Sequence, residues 1–243
     1  MSYLVLCQIG PVQSFIAAGR RTQDLYVGSK LLSQLAAAGV DAAQQTQVQM
    51  VFPFSDRGDV DAATVPHRFA FITDYEPASV AAYVREKVFA SWGEVAQRVR
   101  DWLTQELRST SGDWLDAFDR AKDAWIEFYW VAVPYDEKAH GESLKRANDA
   151  LNQRKNIRHF PAIDERGWKC TLTGASSALP IPPADAASGY GEMRAAWAQF
   201  AARYDNVTIR SNEMLGALAL IKRFAQKARA LELGIDLVNF PST

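Results

Sequence analysis

Cysteine and histidine are scarce in this chain of 243 residues, which has two cysteines and three histidines. Cys7 lies in an apolar run and Cys170 in a polar turn, so the spacing predicts no disulfide framework. A structural zinc site needs four cysteine or histidine donors, and no such set is spaced correctly here. This usage is typical of a reducing compartment, and we expect a cytoplasmic protein without a metal site.

Long apolar runs and a strong net charge are also missing. Every apolar run is far shorter than the roughly 20 residues of a transmembrane helix, and no basic segment precedes an apolar one at the start of the chain. We therefore expect no membrane partner and no secretion signal. The formal net charge is −1, so attraction of a polyanion must come from local basic clusters.

Apolar periodicity divides the chain into strands and helices. It predicts a first strand at Tyr3–Ile9, followed by two short helices or by one helix kinked near Gly28, ending at Gly39. The elements predicted after Gly39 are strands at Val48–Phe54 and Phe69–Thr73, a long helix from Pro77 to Leu107, a helix around Trp114 and Phe118, a strand at Ile126–Val133, a helix through Leu144 and Leu151, a helix bearing a buried stripe of Met193, Trp197 and Phe200, and a last helix capped by Ser211 and running to Gly234.

This order predicts an α+β fold. Strand, helix, two strands, helices and strand form the ferredoxin-like βαββαβ pattern, which we assign to a domain at residues 1–134. Residues 135–243 are predicted to form a mostly helical extension, with an irregular segment rich in proline, glycine and alanine at 159–189.

The turn at Gly10–Ser14 is the strongest local signal for a ligand. Glycine allows close approach, and proline at the start of a helix leaves the remaining N–H groups facing outward, which suits a phosphate. No P-loop or dinucleotide-binding glycine motif can be found here, and a plain strand-to-helix turn is the alternative interpretation.

Short motifs along almost the whole chain resemble the large subunit of type III CRISPR effector complexes, Cmr type, a family of cyclic-oligoadenylate synthases. The motifs are IGPVQSFI at Ile9–Ile16, RTQDLYVGS at Arg21–Ser29, LLS at Leu31–Ser33, VPHRF at Val65–Phe69, WVAVP at Trp130–Pro134, RHFP at Arg158–Pro161, WKCTLTG at Trp168–Gly174, LIKRF at Leu220–Phe224 and FPST at Phe240–Thr243.

The resemblance implies that residues 1–134 are a first palm domain of degenerate type. In such relatives two palms face each other across an ATP pocket, so one wall would come from this chain. The nucleotide-binding residues implied are Gly10, Pro11, Val12, Gln13, Ser14, Asp24 and Ser29. The resemblance further implies that no cofactor is required by this chain alone, and that ATP with Mg would bind at an interface with a second palm.

Two departures from the family pattern limit this inference. Relatives carry C-x-x-C in a zinc knuckle where this chain has Cys170 and Thr173, so we expect a vestigial zinc-knuckle turn without metal. Relatives also carry a second palm with a Gly-Gly-Asp-Asp turn that holds the metal ions for nucleotidyl transfer. No equivalent is found here, and Asp56 and Asp59 are interpreted as solvated loop residues, so no catalytic residue is assigned.

Three functions remain open. The first is a non-catalytic scaffold in a crRNA-guided antiviral effector complex, with other type III CRISPR subunits, crRNA and target RNA as partners. The second is the N-terminal part of an active cyclic-oligoadenylate synthase, and the third is a regulatory ferredoxin-like domain outside the CRISPR class. Basic clusters that could contact RNA or a partner, or simply be solvated, are Arg20 with Arg21, and Arg154, Lys155 and Arg158.

Overall fold

The computed structural model describes residues 1–19, 21–53, 65–108, 110–157, 167–206 and 208–233. The described part of the chain contains four strands interspersed with helices, and none of its helices is both long and apolar enough to cross a bilayer. The elements are β1 Tyr3–Gly10, α1 Val12–Ala17, α2 Thr22–Gln45, β2 Gln49–Phe52, β3 Arg68–Thr73, α3 Pro77–Leu107, α4 Gly112–Asp123, β4 Glu127–Pro134, α5 His140–Asn156, α6 Tyr190–Ala201 and α7 Ala217–Phe224.

The four strands form one antiparallel sheet in the order β2-β3-β1-β4. β1 lies inside the sheet between β3 and β4, and its side chains from Leu4 onward are buried, which explains why its sequence is apolar on both faces. The α+β class is confirmed at this level, as a mixed fold with a small antiparallel sheet and several helices.

One face of the sheet is covered by α5. Leu4, Leu6, Ala70 and Ile72 form its apolar core with Leu151 of the helix, and α5 packs on β4 and β1. In an antiparallel sheet, two directly paired residues have their side chains on the same face. The partners of Leu4 and Leu6 on β3 and β4 therefore also lie on the face that α5 covers.

The opposite face lies against α2 and α3. A Cβ atom added at Gly39 of α2 would lie 2.7 Å from Cζ of Phe69 and 3.0 Å from Cγ2 of Val88. Phe69 and Val88 are fully buried, so glycine at this position lets the helix approach the sheet closely.

The chain divides into two compact units that interleave in sequence. The first comprises Met1–Val12, Lys30–Gly93 and Ile126–Pro161, and the second comprises Gln13–Ser29, Glu94–Trp125 and Ala162–Thr243. The predicted domain division after Pro134 stays a prediction.

The second unit is helical and rich in buried aromatic side chains. Ring pairs join Trp102, Phe200, Tyr204 and Phe224, with centroids 5.0 to 6.2 Å apart. Trp197 and Phe200 are almost fully buried, as is Met193, so the predicted apolar stripe of α6 is confirmed as core.

Two helix boundaries differ from the sequence prediction. The chain breaks after Ala17, not near Gly28, and α2 then continues through Gly28 and Gly39 to Gln45. A glycine costs a helix only about 1 kcal/mol, which tertiary packing readily offsets. α7 begins after Gly216 rather than at Ser211, because both hydrogen bonds between Thr171 Oγ1 and the backbone of Met214 hold the preceding segment outside the helix.

Candidate functional site

The turn that follows β1 is short. β1 ends at Gly10 and α1 begins at Val12, and this helix has only six residues, so its dipole is weaker than the phosphate interpretation assumed. Gln13 and Ser14 are exposed, and a Cβ atom at Gly10 would lie 3.3 Å from Oε2 of Glu127.

The predicted nucleotide-binding residues are distributed over both compact units. Gly10, Pro11 and Val12 belong to the first unit, and Gln13, Ser14, Asp24 and Ser29 belong to the second. Ser29 is exposed, whereas Asp24 has a relative exposure of 2%. A common nucleotide site made of these residues stays a prediction.

Asp24 lies in a buried ion-pair network within the second unit. The guanidinium of Arg223 donates to both carboxylate oxygens of Asp24, with Nη2 2.8 Å from Oδ2. Nη1 of Arg223 also donates to the carbonyl oxygen of Thr208 at 2.8 Å and to Oε2 of Glu213 at 3.1 Å. A ligand that used Asp24 would first have to displace Arg223.

Arg21 joins the same network from the start of α2. Its Nη2 atom lies 3.1 Å from Oε2 of Glu213, and that oxygen also accepts the backbone N–H of Arg210 at 2.8 Å. Burial alone would raise the pKa of Glu213. The N–H of Arg210 and the charges of Arg223 and Arg21 outweigh it, so the pKa of Glu213 is lowered and the carboxylate stays charged.

Lys222 makes a second link between α7 and the residues before α2. Its ammonium donates to the carbonyl oxygens of Phe15 and Ala18, the latter at 3.1 Å, and lies 4.2 Å from the centre of the Phe15 ring. Burial lowers the pKa of Lys222 to about 8, assisted by the charge of Arg223 and opposed by that of Asp24. Lys222 and Arg223 together hold this segment in place.

A different polar cluster lies at one end of the sheet, in the first unit. Gln8, Arg68 and Tyr129 form one row across three strands, on the face that α5 covers. Nε and Nη2 of Arg68 donate to Oε1 of Gln8 at 3.3 and 2.9 Å, and Nη1 donates to Oδ1 of Asn148 at 3.0 Å. Gln8 is almost fully buried, so this row is fixed.

Further basic groups lie near Arg68. Burial lowers the pKa of His67, and the charges of Arg68 and Lys155 lower it further. Lys155 follows Asn148 by two turns on the same side of α5. Arg154 is exposed, with its guanidinium 5.9 Å from the centre of the Tyr129 ring. We refer to His67, Arg68, Arg154 and Lys155 as the basic end of the sheet. Two predicted contact residues, Arg20 and Arg158, lie outside the described residues, as do Asp56 and Asp59.

The turn around Cys170 has a tight backbone structure. Cys170 is buried, its N–H donates to the carbonyl oxygen of Ser176 at 2.9 Å, and its own carbonyl accepts from Gly174, which has a φ of +64°. Thr173 Oγ1 lies 3.2 Å from Oγ of Ser176. Among the described residues no three Cys, His, Asp or Glu side chains are grouped to hold a metal ion.

Sequence reasoning missed several residues of these two clusters. Arg68 lies in the VPHRF motif, and Lys222 and Arg223 lie in the LIKRF motif, but neither motif had been given a role. Charged residues inside apolar elements are the signal that was available. Gln8 and Asn148 can be recognised as members of the cluster only from their hydrogen bonds to Arg68.

The fold is shared with chains of type III-B CRISPR assemblies. A cryo-EM structure of the type III-B Cmr-beta in the apo state matches with a TM-score of 0.58 and 14% identity, covering 94% of this chain and 32% of the other. A cryo-EM structure of the type III-B Cmr-beta bound to cognate target RNA matches with a TM-score of 0.57 and 15% identity, with the same coverage. This chain therefore spans about a third of the length of those chains.

Residues 4–104 match the family of the CRISPR-associated protein Cmr2, N-terminal region. This match confirms the resemblance to the Cmr-type large subunit that the sequence motifs indicated. Among curated proteins, no sequence matches this chain.

Proposed function

We propose that this chain is a non-catalytic scaffold region of the large subunit of a type III-B CRISPR effector complex. The observation that carries the proposal is the match of residues 4–104 to the N-terminal region of Cmr2. The fold likeness extends over 94% of the chain and supports the same role beyond residue 104. Its partners would be other Cmr subunits, crRNA and target RNA, since one similar structure is described as bound to cognate target RNA.

The sheet is proposed to be a ferredoxin-like palm. Its strand order, β2-β3-β1-β4 with every neighbouring pair antiparallel, supports this assignment, as does the order of elements along the chain. The described residues contain no group of side chains that could hold a metal ion, and a palm that lacks a metal-binding carboxylate pair is expected to support a complex rather than to catalyse nucleotidyl transfer. The vestigial zinc-knuckle turn at Cys170 is proposed to act in the same structural way.

The experiment that tests the scaffold role is co-expression of this chain with the remaining Cmr subunits and crRNA. The purified complex would be weighed by native mass spectrometry. We expect the chain to be retained with a defined subunit stoichiometry and with bound crRNA. Recovery of a complete crRNA-bound complex that lacks the chain would contradict the proposal.

A second candidate is a part of a cyclic-oligoadenylate synthase that becomes active with a second palm. The exposed amide of Gln13 and the exposed hydroxyl of Ser14 support it, because both can hydrogen-bond a nucleotide with Mg held by the other palm. Gln13, Ser14 and Ser29, all exposed in the second unit, would then contribute to one wall of the ATP pocket.

The synthase candidate is tested by incubating the chain with ATP and Mg, with and without a Gly-Gly-Asp-Asp palm supplied in trans. Oligoadenylates would be measured by liquid chromatography. The candidate predicts product only in the mixture, and less product with Gln13→Ala. Gln105→Ala, which changes an exposed glutamine of α3 in the same unit, is the matched control. Absence of product in the mixture would leave the scaffold role as the function.

A further inference from the structure

We propose that the basic end of the sheet binds a phosphate group, with the guanidinium of Arg68 and the ammonium of Lys155 as its principal ligands. The phosphate could belong to an RNA strand or to a free nucleotide, and both offer the same anionic oxygens. The proposal deepens the proposed function, on which it rests for the identity of the phosphate source. Its test uses this chain alone.

The first argument is the way Arg68 is held. A guanidinium has five N–H donors, and Arg68 uses three of them on the amide oxygens of Gln8 and Asn148. One N–H on each Nη atom remains for a ligand. Because Gln8 is almost fully buried and Asn148 lies on α5, the guanidinium is fixed from two sides, which lowers the entropic cost of binding an anion.

The second argument is that the charge of Arg68 is not balanced. Both of its partners are neutral amides, and within the described ranges Arg68 forms no ion pair. In contrast, Arg223 lies against two carboxylates. Lys155, in the last turn of α5, adds a second positive charge. Burial lowers the pKa of His67, and the charges of Arg68 and Lys155 lower it further. Partly buried like charges repel each other, and a bound anion would relieve this repulsion.

The third argument concerns the alternative that these basic side chains only complement a helix dipole. Arg154 and Lys155 lie in the last turn of α5, where basic side chains also complement the helix dipole. Arg68 lies on a β-strand, so no helix dipole accounts for it. Among the residues of the four described strands, the one carboxylate is that of Glu127, which is paired with Gly10, two positions after Gln8.

The test measures binding of a fluorescein-labelled single-stranded RNA and, separately, of a fluorescent ATP analogue, by anisotropy. Arg68→Gln and Lys155→Gln each remove one proposed ligand, and Arg68→Lys keeps the charge but loses the fork. Lys145→Gln is the matched control, because it removes an exposed lysine from the same helix. Circular dichroism confirms folding, and if Arg68→Gln does not fold, Lys155→Gln and Lys155→Glu carry the test.

We expect Arg68→Gln and Lys155→Gln to weaken RNA binding several-fold, while Lys145→Gln has no effect. Between about 50 and 200 mM salt, log affinity falls with log salt, and each of these two substitutions should make that negative slope less steep by about 1. If the same variants weaken binding of the ATP analogue but leave RNA binding intact, the site stands and a free nucleotide is its ligand. Unchanged binding of both probes would overturn the proposal, whatever subunits co-purify with the chain.

Discussion

Arg223 lies between two buried carboxylates, so its loss should be costly. In Arg223→Ala, Asp24 and Glu213 would remain buried without their main counter-charge, and we expect a decrease of about 3–5 kcal/mol in the free energy of unfolding. Urea denaturation followed by circular dichroism measures it. Arg120→Ala in α4 removes an exposed arginine of the same unit and should change stability by less than about 0.5 kcal/mol. Equal effects of the two substitutions would contradict a structural role for the network.

Lys222 should make stability depend on pH in an unusual direction. Its pKa is about 8 in the folded protein and 10.5 ordinarily, so between these values the unfolded chain binds more protons. The free energy of unfolding should therefore rise with pH in this window, by at most about 1.4 kcal/mol per pH unit. Lys222→Met removes the effect and keeps the side-chain length.

The measurement compares urea denaturation of the wild type and Lys222→Met from pH 7.5 to 9. The free energy of unfolding of the wild type, minus that of Lys222→Met, should increase as the pH rises. Burial raises the pKa values of Cys7 and Tyr204, which lowers stability at still higher pH, but both groups are common to the two proteins. A pH-independent difference would mean that the pKa of Lys222 is not lowered.

Individual site residues were only partly predictable from the sequence. Asp24 and Arg21 were identified as polar residues of interest, but their partners Arg223 and Glu213 are about 190 to 200 positions away. Local patterns carry no information about such pairs. Asp24 was interpreted as part of a nucleotide wall because the sequence could not reveal that Arg223 occupies its carboxylate.

At the scale of elements, two helix glycines should respond oppositely to alanine. Gly39→Ala would bring a Cβ atom to 2.7 Å from the ring of Phe69, so we expect overpacking of about 1–3 kcal/mol to exceed the gain in helix propensity. Gly93→Ala in α3 meets nothing within 4 Å and should stabilise by up to about 1 kcal/mol. Thermal unfolding of both variants checks the opposite signs, and stabilisation by Gly39→Ala would contradict the close approach of α2 to the sheet.

The packing of α5 on the sheet gives a second prediction at this scale. Leu151 is fully buried in the core that α5 shares with β1 and β3, whereas its neighbour Asn152 is exposed. Leu151→Asp should cost several kcal/mol, because an unpaired charge would enter an apolar core, while Asn152→Asp should be nearly neutral. Denaturant unfolding distinguishes them. Equal stability of the two variants would mean that α5 does not share a core with the sheet, and would favour a domain boundary after Pro134.

Most elements were predictable because their periodicity is strong. The long stripe from Val80 to Leu107 predicted α3, and the β-branched and aromatic run before Pro134 predicted β4. The boundaries that failed, near Gly28 and at Ser211, depend on long-range packing. A Cβ atom added at Gly28 would lie 3.5 Å from Cε of Lys222, and the segment before α7 is fixed by Thr171. Tertiary contacts of this kind override local helix signals.

At the scale of the whole chain, β1 pairs with two strands that follow much later in the sequence. Its residues pair with β3, about 60 to 70 positions later, and with β4, where Tyr3 is opposite Pro134. Each compact unit likewise draws on three separate stretches of sequence. Order and periodicity along the chain predicted the strands. They could not predict which stretches of sequence form each compact unit, because non-local contacts decide that grouping.

The pairing of β1 with β4 has a consequence for synthesis on the ribosome. After its synthesis, β1 must wait for residues up to Pro134 to leave the exit tunnel before its second neighbour is available, so the nascent chain carries an unsatisfied strand edge until β4 emerges. Nascent chains stalled before β4 emerges should be digested readily by protease, whereas chains stalled beyond α5 should protect β1. Because β1 is translated before β4, we expect chaperones to protect this strand edge until β4 emerges.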